Sequence, residues 1–118
     1  MRPVLLLLPL LVGCSGPLAL IEIRDVRVAR VSDTDRHVAV EVDVRATEGG
    51  GGNLGRYCVD VNFPGDTVVQ RTCEQDLTDG DVRTIRLVSQ AETAAGASLV
   101  VTARLANYID SETRLAPP

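Results

Sequence analysis

The chain has 118 residues, a net charge of −4 and 45% hydrophobic content, which fits one folded domain and excludes a disordered segment. It has no Trp, a single Phe (Phe63) and two Tyr (Tyr57 and Tyr108), so its core must be aliphatic. All 12 basic residues are Arg, a pattern attributable to genome composition. They form no basic stripe, and there are almost no aromatics to stack bases, so nucleic-acid binding is excluded.

The chain opens MRPVLLLLPLLVGCSG. One Arg precedes an apolar run over residues 4–12. As a helix this run would be ~14 Å long, against a hydrocarbon core of roughly 30 Å, so it is too short to span and suits the centre of an export signal. The run ends in Leu11-Val12-Gly13-Cys14, which resembles the lipobox of bacterial lipoproteins at all four positions. The resemblance implies a signal peptide over 1–13, cleavage after Gly13, and a Cys14 thiol carrying diacylglycerol on a newly acylated amino terminus. Two or more acyl chains hold a protein firmly to a bilayer. Ser15 is not the Asp associated with inner-membrane retention, so the resemblance points to the outer membrane. Residues 14–17 form the anchor and a short linker reaching about 10 Å, and residues 18–118 form the exported domain.

That domain alternates in twos. The first strand covers residues 20–31 and changes phase: Ile21 and Ile23 share one parity, Val26 and Val28 the other, as a bulge near Arg24-Asp25 would produce. Val38, Val40, Val42, Val44 and Ala46 line one face of a second strand. Tyr57, Val59, Val61 and Phe63 line a third, and Val68-Val69 falls within a fourth. Ile85 with Leu87 marks a fifth, and Leu99, Val101, Ala103 and Leu105 mark a sixth. Tyr108-Ile109 is a candidate start of a short last strand, and residues 110–118 read as a polar tail. Six or seven short strands without a helical period specify a two-sheet antiparallel β-sandwich of immunoglobulin or fibronectin-III type. The stretches HVAVEVDVRATEGGGGN, YCVDVNFPGDTVVQRT and DLTDGDVRTIRL resemble the small Ig-like modules of bacterial envelope proteins, such as the FxLyD and CARDB-like families.

With Cys14 assigned to lipid, Cys58 and Cys73 remain in an oxidising compartment. Pro64 cannot donate to a ladder, so a hairpin loop over 64–67 closes on Phe63 opposite Val68. That register places Asp60 opposite Arg71 and Cys58 opposite Cys73 in the closer, non-hydrogen-bonded kind of pair, within disulfide reach. The expectation is a cross-strand disulfide beside an exposed Asp60–Arg71 ion pair. The C-x-x-C spacing of a redox-active pair is absent.

Few residues invite catalysis. His37 is the single histidine, expected at an exposed strand edge with no second His to complete a zinc site. No G-x-S-x-G frames a nucleophile, and the glycines at 49–52 lack the G-K-[ST] of a phosphate loop. Glu74, Asp76, Asp79 and Asp81 form an acidic run that is a weak candidate for calcium, without EF-hand spacing. The sequence therefore points to a lipid-anchored, non-enzymatic envelope module with no cofactor, meeting an envelope protein or polysaccharide. The alternative is a Ca²⁺-dependent carbohydrate-binding or adhesin-type module using residues 47–55 and 74–81.

Overall fold

The computed structural model describes residues 20–47, 54–78 and 80–118. The signal segment, Cys14 and its linker, the glycines at 49–52 and Asp79 lie outside the described residues. Seven strands run in chain order: β1 (Leu20–Arg30), β2 (Val38–Thr47), β3 (Tyr57–Asn62), β4 (Gln70–Glu74), β5 (Val82–Val88), β6 (Ser98–Leu105) and β7 (Tyr108–Leu115). They form two antiparallel sheets, one ordered β1-β2-β5 and the other β4-β3-β6-β7. This is a β-sandwich of the expected class. Its fourth strand joins the sheet of β3 and β6, as in fibronectin-III modules, whereas a constant-type immunoglobulin domain pairs it with the other sheet.

Valine alternation builds the interior. Val38, Val40, Val42, Val44 and Ala46 of β2 are wholly buried, and they face Val59, Val61, Leu99, Val101 and Ala103 of the opposite sheet. Phe63 and Tyr57 add the largest buried side chains, at the two ends of β3. The expected phase change in β1 is present as a register shift between Ile23 and Asp25. It keeps Ile21, Ile23 and Val26 all turned toward the core.

Several readings of the chain differ from the structure. The β3–β4 connection is longer than residues 64–67: the last ladder pair is Val61 with Gln70, and Val68 and Val69 are exposed outside any strand. The cause is Asp66, whose carboxylate accepts the backbone N–H groups of Gln90 and Ala91 and draws the loop across to the β5–β6 connection. Residues 108–115 form a full edge strand instead of a polar tail, paired along β6 from Ser98–Leu115 to Leu105–Tyr108. Its inward positions Asp110, Glu112 and Arg114 are charged, which removes the apolar alternation that marks the other strands and protects an edge from stray pairing. Finally, the Asp60 side chain is buried, as described below.

The connections sort to two ends. The start of β1, residues 54–55, the β4–β5 connection and the β6–β7 turn share one end, joined by Leu54 N–H to Leu77 O, Leu77 N–H to Gly55 O and Gly80 N–H to Ala46 O. The β1–β2, β3–β4 and β5–β6 connections and the carboxyl terminus share the other. No helix among the described residues is long and apolar enough to cross a membrane.

Candidate functional site

The outer face of the four-stranded sheet carries a buried carboxylate paired with two arginines. Strands β3 and β4 pair Cys58 with Cys73 and Asp60 with Arg71, the register expected from the sequence. The cysteines form a disulfide with Cα atoms 4.0 Å apart, bridging two neighbouring strands. One pleat further along, Asp60 is only 5% exposed. Its Oδ1 accepts from Arg71 Nε at 2.6 Å and its Oδ2 from Arg71 Nη2 at 2.8 Å. Arg104, from β6 on the other flank of β3, donates its Nε to the same Oδ2 at 3.1 Å.

Asp60 is therefore not half of an exposed pair. It is a buried anion gripped from both sides, because the central strand places it between two arginine side chains lying over the sheet. The Arg71 guanidinium holds the Asp60 carboxyl below the usual carboxylate range, working against burial, with Arg104 assisting. Arg104 occupies an outward position of β6, 44 residues from Asp60 in the chain. Its part becomes visible only when β6 is set beside β3 with Cys58 opposite Arg104.

Around this triad the face sinks into a shallow recess of about 290 Å³, lined by Asp60, Asn62, Val69, Arg71, Val100, Thr102 and Arg104. Its floor is a fully engaged carboxylate, its flanks are cationic, and Asn62, Thr102, Val69 and Val100 complete the wall. Such a lining can recognise an anion. It lacks a free base or a nucleophile framed by one.

His37 lies at the far end, half-buried, and not at a bare strand edge. Its Nδ1 contacts Asp35 Oδ1 at 2.5 Å and its Nε2 contacts the carbonyl of Gln90 at 3.2 Å. Both partners are acceptors, so both ring nitrogens are best served as donors and the imidazolium form is favoured. The Asp35 hydrogen bond raises the His37 pKa, and His37 in turn lowers that of Asp35. With Nδ1 on Asp35 and Nε2 on the Gln90 carbonyl, both ring nitrogens are already engaged within the protein.

The described members of the acidic run, Glu74, Asp76 and Asp81, do not converge. Glu74 accepts the Tyr57 hydroxyl at 3.1 Å, and the Asp76 carbonyl accepts Arg83 Nη2 at 3.0 Å. Asp81 approaches Arg83 at 3.8 Å. Burial, then the Glu74 carboxylate, pushes the Tyr57 hydroxyl up to about 12. Among the described residues no group of three or more His, Cys, Asp or Glu side chains is placed to hold a metal ion.

No family model matches the chain. No curated protein matches it at a significant level. Among solved structures it is similar to a β-glucosidase from Kluyveromyces marxianus, at 12% identity and a TM-score of 0.34, over 85% of this chain and 15% of that one. The chain thus spans about one-seventh of that enzyme's length, and a likeness this slight carries no argument about activity.

Proposed function

We propose that the protein is a lipid-anchored component of the bacterial cell envelope whose β-sandwich is a non-enzymatic binding module. The observation that carries the anchor is the sequence Leu11-Val12-Gly13-Cys14 directly after a short apolar run. Cys14 precedes the first residue of β1, Leu20, by six positions, a reach of roughly 20 Å when extended. The domain would therefore ride close to a bilayer, with the end bearing residues 54–55, 75–78, 80–81 and 106–107 toward the lipid.

In that orientation Glu74, Asp76 and Asp81 belong to the bilayer-facing end. The broad sheet faces and the opposite end stay accessible. The outer membrane is the proposed address, since Ser15 follows the anchor cysteine. Partition of the full chain between aqueous and detergent phases tests the reading: the wild type is expected in the detergent phase and a Cys14→Ala variant in the aqueous phase. Equal partition of the two would remove the anchor.

A further inference from the structure

We propose that the recess between Arg71 and Arg104 is the docking surface for an acidic segment of another protein, one Asp or Glu carboxylate of which is taken by the two guanidinium groups. This deepens the reading of the domain as a binding module and rests on it. Charge is the first argument. Two cations converge on one carboxylate: Arg71 Nη2 and Arg104 Nε reach the same oxygen of Asp60, at 2.8 and 3.1 Å. The group keeps a net positive charge that a second anion would offset.

The donors needed for that anion are present. Asp60 engages Nε and Nη2 of Arg71 and only Nε of Arg104. Arg71 Nη1 and both Nη atoms of Arg104 have no hydrogen-bond partner among the described residues, and the two side chains are 55% and 43% exposed. Because the buried Asp60 already fixes both guanidinium groups, little side-chain entropy remains to be lost when a ligand arrives.

The surroundings agree with one kind of occupant. Along the outer face of β3, β4, β6 and β7 the register sets Cys58, Asn62, Cys73, Thr102, Ser111 and Thr113 around the triad, with no acid besides Asp60. The opposite face of the sandwich differs: there Arg27 is already bound by Asp25, Glu41 and Asp43. In the recess, exposed Val69 and Val100 offer an aliphatic wall for methylene groups. No aromatic ring lines it, which removes the flat platform on which sugars usually stack. A volume of about 290 Å³, at the low end of the range for ligand pockets, admits an acidic side chain.

The test titrates the ¹⁵N-labelled full chain, in a non-ionic detergent at pH 7 and low salt, with three probes. These are a capped peptide alternating Glu and Ser, its Gln counterpart, and an oligogalacturonate. The Glu peptide is expected to shift the Nε–H signals of Arg71 and Arg104 and the amide of Thr102 saturably, and the Gln peptide is expected to leave them in place. Val100→Glu sets a like charge beside the site without touching the triad. It should weaken the Glu peptide about tenfold or more while the rest of the spectrum stays folded. Equal response to the Gln peptide, tighter binding of the oligogalacturonate, or no saturable shift would each overturn the proposal. Acylation of Cys14, read by mass on the same sample, is independent of all these outcomes, so failure here is distinguishable from failure of the anchor.

Discussion

The carboxylate of Asp110 accepts a hydrogen bond from the backbone N–H of Ile23 at 2.8 Å, tying an inward position of β7 to the free edge of β1 in the other sheet. The contact falls beside the register shift of β1, where the ladder to β2 is interrupted. It closes one side of the sandwich without extending either sheet. Replacing Asp110 by Ala is predicted to destabilise the fold by about 1.5–3 kcal/mol, the usual loss for a charged acceptor on a backbone donor. Chemical denaturation measures this, and amide exchange at Ile23 should accelerate more than exchange at Val42.

The disulfide closes a loop with a sequence separation of 15. In the chain-entropy model such a crosslink stabilises by roughly 3 kcal/mol. The double variant Cys58→Ala/Cys73→Ala should unfold at a melting temperature about 12–24 °C lower, at roughly 4–8 °C per kcal/mol for a domain of this size. Thermal unfolding followed by circular dichroism checks it. An unchanged midpoint would mean that the crosslink adds nothing.

Asp60→Asn tests the triad from within. It leaves two adjacent guanidinium groups without their counter-ion, and a loss of about 2 kcal/mol is expected at pH 7, moderated because both arginines are partly exposed to solvent. The pH dependence follows from the sign of the shift. The folded Asp60 carboxyl lies below its ordinary value of 3.8, so its contribution is present above that value and is lost as pH falls through the folded pKa. Wild-type stability should therefore drop more steeply below about pH 4 than that of Asp60→Asn.

His37 gives the opposite sign. Its folded pKa is raised above 6.5 by Asp35, so its contribution is complete below 6.5 and is lost as pH rises through the folded value. The melting temperature of the wild type should decline on going from slightly acid to slightly alkaline buffer, and that of His37→Gln should stay flatter over the same range. A proton-sensitive NMR titration of the single imidazole would give the folded pKa directly.

Much of this architecture was legible because valine alternation is unambiguous where one face of a strand is buried. β2 and β6 display it fully, and the bulge of β1 shows as a parity change between Ile23 and Val26. The disulfide was legible because Cys58 and Cys73 sit symmetrically about a turn marked by Pro64. The extent of that turn was not, since Asp66 is held by Gln90 and Ala91, residues distant in the chain. β7 was hidden for a different reason: an edge strand with Asp110, Glu112 and Arg114 turned inward has no apolar period to detect. The candidate site was half visible. Local pairing places Arg71 opposite Asp60, whereas Arg104 arrives from a strand 44 positions away.

The measurement that bears most directly on the whole account is the intact mass of the chain isolated from the membrane fraction of the cells that make it. A lipid-anchored protein gives a polypeptide beginning at Cys14 and carrying diacylglycerol together with an amide-linked acyl chain. A chain recovered from the soluble fraction at its plain polypeptide mass, with Cys14 unmodified, would contradict it.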